Sequence, residues 1–91
     1  MELKKVEKIS KALADPNRLH ILKSLHLNQS CMYCSHINDI IDLKQPSISH
    51  HLKQLTEAEL IIAEKEGRNM KYSMNNKVID KYVNFLAALK V

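Results

Sequence analysis

A chain of 91 residues is one domain's worth of protein, and at this size folding buries only roughly 60–65% of the surface the unfolded chain exposes. Its 14 Lys and Arg exceed its 10 Asp and Glu, a formal net charge of +4 that points toward nucleic acid or another anionic surface. One glycine, two prolines and no tryptophan exclude glycine-rich phosphate loops and turn-rich β-sandwiches, and a core this small excludes a deep, lidded enzyme cleft.

Leu3, Val6, Ile9 and Leu13 are spaced by three and four with lysines between them, which predicts a one-faced amphipathic helix from Glu2 to Ala14. The charged start Met1-Glu2-Leu3-Lys4-Lys5 has no apolar core or cleavage site, and no apolar run approaches the ~20 residues of a membrane span. A soluble, cytoplasmic chain is expected. Asp15-Pro16 then closes one helix and opens the next, because Asp15 can cap with its carboxylate and Pro16 suits a position that needs no N–H. The second helix runs to about His26 and turns Leu19 and Leu22 inward, with Ile21 and Leu25 as further candidates for its buried side. Asn28-Gln29-Ser30 reads as a turn and Cys31 to Cys34 as a short extended piece. Ser35 caps a third helix, His36 to Asp42, with Ile37, Ile40 and Ile41 inward.

Gln45-Pro46 repeats the cap-and-proline start and opens a fourth helix that runs to about Ala58. Its stripe of Ile48, Leu52 and Leu55 pins it to the core, and the short break after the third helix makes the pair a helix-turn-helix. Beyond Leu60 the period changes. Ile61–Lys65 and Met70–Met74 read as two strands joined by Glu66-Gly67-Arg68-Asn69, a β-hairpin carrying the single glycine. The tail from Asn76 is helical again, and Val78, Ile79, Tyr82, Val83, Phe85, Leu86 and Leu89 cover more than one face. The fold class is mainly α with a small β-hairpin wing, a single winged helix-turn-helix domain over residues 1–91 in the order α-α-α-α-β-β-α.

The residues themselves carry a likeness. Ala12 to Leu22, reading ALADPNRLHIL, closely resembles the opening signature of the ArsR/SmtB family of bacterial repressors. Leu43 to Leu55, reading LKQPSISHHLKQL, resembles that family's recognition helix, and Lys65-Glu66-Gly67-Arg68 followed by Tyr72 is similar to its wing. The resemblance implies a DNA-binding transcriptional repressor, a homodimer paired through its first and last helices and released from its operator by a metal ion or other small effector.

On the fourth helix, Gln45, Ser47, Ser49, His50 and Gln54 fall away from the buried stripe. Hydroxyls, amides and an imidazole with little acid suit base edges and phosphates in the major groove, and a helix N-terminus adds free N–H groups for a phosphate. Lys44 and Lys53 flank the helix as backbone contacts, and Arg68 at the wing tip is placed for a phosphate or the minor groove. His51, three residues after Ile48, reads as a packed boundary residue, and Arg18 either pairs with Asp15 or lies near DNA.

Cys31 and Cys34 are too close in sequence for a bridge between them to staple a fold. They lie near the place where metal-sensing members of the resembled family hold a thiol-rich site, but out of register: that family's Cys-x-Cys-Asp pattern would fall on Tyr33, Ser35 and His36. Three readings stay open at this point. The thiolates, with His36 or a partner-chain ligand, would hold a soft ion such as zinc, cadmium or trivalent arsenic; the pair would form a reversible disulfide; or Cys34 is a small buried residue and Cys31 an incidental thiol. A second metal site known in the family, on the last helix, finds Asp80 here but no histidine after His51. Glu59 stands where the family usually ends the recognition helix with glycine, at a cost on the order of 1 kcal/mol and with a shifted entry into the hairpin.

Excess apolar surface on both terminal helices argues for a dimer, which would set two recognition helices about 34 Å apart on an imperfect palindrome. The same fold used as a protein-interaction module is the alternative; a Ser/His/Gln-rich, basic fourth helix speaks against it. A dithiol oxidoreductase reading of Cys31-x-x-Cys34 fails, because no βαβ pattern surrounds the motif.

Overall fold

Asp15 ends one helix and begins the next, as its position before Pro16 dictates. In the computed structural model, which describes residues 1–27, 31–33, 37 and 45–91, α1 spans Leu3–Leu13 and α2 spans Pro16–Leu27. The Asp15 Oδ1 accepts the backbone N–H of Asn17 at 2.8 Å and of Arg18 at 3.2 Å, satisfying two donors at the start of α2 that have no partner within the helix. After α2 come β1, Cys31–Tyr33, and then α3, Gln45–Glu57, with Pro46 in its first turn, where the missing N–H is no loss. A hairpin of β2, Ile61–Glu66, and β3, Asn69–Met74, leads into α4, Asn76–Ala87. The third helix expected over His36–Asp42 lies outside the described residues except for Ile37, which is helical and buried as its place in the apolar set requires.

The core is built from one stripe of each helix. α1 contributes Ile9 and Ala12, α2 contributes Ile21 and Leu25, and α3 contributes Ile48, Leu52 and Leu55, with Val78 from α4. Each fully buried Ile or Leu stabilises the fold by roughly 1.5–3 kcal/mol relative to exposure. Two of the expected inward residues are not inward. Leu3 is 74% exposed and Leu19 49% exposed. On α2 the buried stripe is Ile21 and Leu25, one turn apart, and Leu19 lies about 200° around the helix from Ile21. Leu3 is the first residue of α1, at the end of the helix away from Asp15.

The sheet has three strands where the hairpin alone was expected. Its order is β1-β3-β2, all antiparallel, with Cys31, Met32 and Tyr33 opposite Ser73, Tyr72 and Lys71. The hairpin ladder runs from Ile61 opposite Met74 to Glu66 opposite Asn69. Gly67 has φ +63°, and a Cβ built there would meet nothing within 4 Å, so the position needs glycine for its backbone and not for space. Glycine at the first central position of a two-residue loop matches the twist of the strands it joins.

The end of α3 is a second left-handed position, occupied by a residue with a side chain. Glu59 has φ 61°. Its N–H bonds to Thr56 O at 2.9 Å, and the Leu60 N–H reaches back to Leu55 O at 3.1 Å. That pair of bonds is the Schellman closure, and the residues at its two ends, Leu55 and Leu60, are both buried in the core. The departure from glycine at this position therefore leaves the helix stop in place.

Candidate nucleic-acid interface

With Ile48, Leu52 and Leu55 at 0–3% exposure, α3 has one face locked inward, and its other face is turned away from the core. Ser47, Ser49, His50 and Lys53 are exposed on it, and Gln54 is half-buried at its edge. Gln45 is the first residue of α3. No acidic side chain occurs from Gln45 to Thr56, so nothing on this face repels a phosphate. Arg68 is exposed in the loop between β2 and β3, beside Glu66, which is drawn toward Lys71 at 3.9 Å. Lys44, the remaining predicted contact, lies outside the described residues.

The excess charge does not lie on the exposed face of α3. Lys4, Lys5, Lys8 and Lys11 against Glu2 and Glu7 within residues 1–13, with Lys77, Lys81 and Lys90 against Asp80 within residues 76–91, account for the whole formal +4. Residues 14–75 carry seven basic and seven acidic side chains. The helix-turn-helix and wing thus offer locally placed cations, Lys53 and Arg68, on a neutral background.

Behind the reading face lies a cluster that links three helices. Arg18 is 14% exposed, and each of its three guanidinium nitrogens has a partner. Its Nε donates to Ala12 O at 2.6 Å and its Nη2 to Lys11 O at 3.2 Å, capping carbonyls at the end of α1. Its Nη1 lies 3.3 Å from His51 Nδ1 and 3.9 Å from Asp15 Oδ2. Of the two sequence readings of Arg18, the pairing with Asp15 holds. Burial acts to raise the Asp15 carboxyl, but the amides of Arg18 and Asn17 and the Arg18 guanidinium outweigh it and hold the group below the usual carboxylate range. His51 is buried, as its spacing from Ile48 requires, and its ring is tilted 58° to that of His50 at 5.9 Å. The Arg18–His51 contact spans 33 positions, so no local sequence signal announces it.

Of the candidate metal ligands, Cys31 lies in β1 opposite Ser73, while Cys34 and His36 lie outside the described residues. Among the described residues no three His, Cys, Asp or Glu side chains gather into a metal-binding group. Among them, too, no helix is long and apolar enough to cross a membrane.

Residues 15–63, from the α2 cap through the first residues of β2, match the family described as "Bacterial regulatory protein, arsR family". The chain belongs to the ArsR family. It is 36% identical over 84 residues to the arsenical resistance operon repressor of Staphylococcus xylosus, covering 92% of this chain and 78% of that one. The solution structure of the homodimeric winged helix-turn-helix DNA-binding domain of a possible ArsR-family regulator from Mycobacterium bovis superposes with TM-score 0.76 at 25% identity, covering 94% of this chain and 79% of that one. A crystal structure of another ArsR family transcriptional regulator reaches TM-score 0.85 at 24% identity, covering 97% of this chain and 89% of that one, a likeness of fold. This ArsR-family chain is a DNA-binding transcriptional regulator, and α3 holds the place of the second helix of its helix-turn-helix.

Proposed function

We propose that this chain is a repressor that binds a palindromic operator as a homodimer, paired through α1 and α4. The reading is carried by the contrast along α3, where Ile48, Leu52 and Leu55 are buried and Ser47, Ser49, His50 and Lys53 are exposed. Gln45, Ser47, Ser49, His50 and Gln54 read base edges and nearby phosphates from the major groove, Lys44 and Lys53 hold the backbone on either side, and Arg68 reaches the flanking groove from the wing. The dimer is favoured by exposed apolar residues at the two ends of the chain, Leu3 of α1, Val83 and Leu86 of α4 and Leu89 just beyond it. A two-fold between such protomers sets the two α3 helices about one turn of duplex apart.

Release by an effector is the second part of the proposal. Two thiolates and an imidazole, Cys31, Cys34 and His36, form a donor set whose chemistry fits a thiophilic ion such as zinc, cadmium or trivalent arsenic. The named function of the Staphylococcus xylosus relative favours such an ion, and oxidation of the same thiols is the other route to release.

Fluorescence anisotropy on a duplex with two half-sites one helical turn apart, against a scrambled duplex, tests the core of this reading. Specific binding that weakens steeply with salt is expected. Equal affinity for both duplexes, or none for either, would overturn it.

A further inference from the structure

We propose that His51 is a positioning residue for DNA reading, which fixes α3 against the end of α1 by accepting a hydrogen bond from Arg18. The proposal rests on the assignment of α3 as the reading helix. Its ground is the three-way engagement of one side chain. The Arg18 guanidinium holds Ala12 O and Lys11 O of α1, faces the Asp15 carboxylate that caps α2, and meets His51 Nδ1 of α3 at 3.3 Å. A guanidinium carries only donors, so at this contact Nδ1 is the acceptor and the ring proton sits on Nε2. The bond is nearly dry, with Arg18 at 14% and His51 at 9% exposure, so an orphaned guanidinium N–H there would have little water to turn to.

The position of His51 gives this bond its leverage. Ser47 and Gln54 lie one turn before it and one turn after it on the same stripe of α3, and His50 precedes it directly. A tilt of α3 about this point moves every residue proposed to read a base, and recognition groups must be held to about 0.5 Å to work. Packing alone does not explain an imidazole here. Ile48 and Leu52 beside it already seal the helix to the core, and a phenyl ring would fill the same volume without needing a partner.

The test uses the full-length protein and a duplex selected by the wild type from a random library, with a scrambled duplex as reference. His51→Phe keeps a flat ring and removes the acceptor; His51→Gln keeps an acceptor. Expected is a loss of about tenfold in the ratio of selected to scrambled affinity for His51→Phe, with retention within about threefold for His51→Gln. The salt slope of binding is unchanged in both, because no phosphate contact is removed. Nitrogen-15 NMR of the wild-type imidazole reads the bond directly and does not depend on any variant folding: an unprotonated Nδ1 with the proton on Nε2 is expected. A His51→Phe protein that keeps the wild-type ratio, or a wild-type ring with its proton on Nδ1, overturns the proposal. A wild type that selects no duplex at all overturns the reading of α3 as the DNA-reading helix, and this proposal falls with it.

Discussion

Lys5 Nζ lies 3.0 Å from Glu59 Oε2, so the residue that ends α3 in a left-handed conformation is also tied to α1. The two effects oppose each other. A side chain at φ 61° costs on the order of 1 kcal/mol relative to glycine. Both partners of the ion pair are about half exposed, which places its contribution at roughly 0–1 kcal/mol and nearer the lower end. Glu59→Gly is therefore expected to stabilise the protein by about 0.5 kcal/mol, raising Tm by a few degrees in a chain this size. Thermal melts of Glu59→Gly, Lys5→Met and the double variant measure both parts. A lower Tm for Glu59→Gly would mean that the ion pair outweighs the backbone strain.

Asp15 gives a prediction with a definite pH sign. Its carboxyl is held below the usual range in the folded state, so its stabilising contribution is complete above the ordinary carboxylate pKa near 4 and is lost as pH falls through the depressed folded value. Asp15→Asn keeps a capping oxygen for the N–H groups of Asn17 and Arg18 but carries no charge toward Arg18. Its stability should fall less than that of wild type between about pH 5 and pH 2. Asp15→Ala loses the cap altogether and should cost about 1 kcal/mol at neutral pH. Denaturant titrations across that range separate the cap from the charge.

What the sequence disclosed about this fold depended on how far apart the interacting residues lie. Asp15-Pro16 could be read directly, because a cap and the helix it starts are neighbours. The stripe of Ile48, Leu52 and Leu55 could be read as well, since α3 has one strongly apolar face and no rival. α2 carries apolar residues on more than one side, and which side goes inward depends on the partner that arrives. Leu19 falls on the side of α2 that stays exposed, and Leu3 is exposed at the start of α1. The pairing of β1 with β3 joins Cys31 to Ser73 through a ladder only three residues long, with no turn between them to give it away. The Arg18–His51 contact was hidden for the same reason. On the reading face, exposure of Ser47, Ser49, His50 and Lys53 followed from the buried stripe opposite them, whereas the neutrality of residues 14–75 emerges only when charge is assigned segment by segment.

Val83 and Leu86 test the dimer. They are 53% and 44% exposed on α4, next to a face whose Val78 is already buried and whose Tyr82 is bonded to Ser10 of α1 at 2.8 Å. A glutamate at either place puts a charge into the proposed subunit interface and leaves the protomer core untouched. Val83→Glu and Leu86→Glu should sediment as monomers, lose the concentration dependence of Tm and bind the operator at least tenfold more weakly. Wild-type-like sedimentation of both variants would place the interface elsewhere.

Lys53 and Arg68 test the backbone contacts. Each phosphate neutralised contributes about 0.9 to the slope of log affinity against log salt concentration, so Lys53→Ala and Arg68→Ala should each flatten that slope by about 1. Lys8→Ala removes an exposed charge from α1, away from α3 and the wing, and should leave the slope unchanged. Ser49→Ala should weaken the selected duplex without altering the slope, since a hydroxyl at a base edge carries no charge. Equal flattening by all three lysine and arginine variants would show that the overall field, and not contact at α3 and the wing, sets the affinity.

Cys31 connects the effector question to the wing. It lies in β1, and β1 is laddered to β3, the strand that returns from Arg68, so any ligand or oxidation that draws Cys31 away also disturbs the sheet that carries the wing. The ladder is short, three residues, and an edge strand of that length is held by few hydrogen bonds. Capturing the thiolates of Cys31 and Cys34 in a metal complex needs no large energy to shift it. Zinc, cadmium, arsenite and an oxidant are to be added in turn to the preformed protein–operator complex, for wild type and for Cys31→Ser/Cys34→Ser. At least one is expected to release the wild type while leaving the double variant bound, because serine supplies neither a thiolate nor a disulfide. Release of the double variant by every agent that releases wild type would assign the cysteines to structure alone.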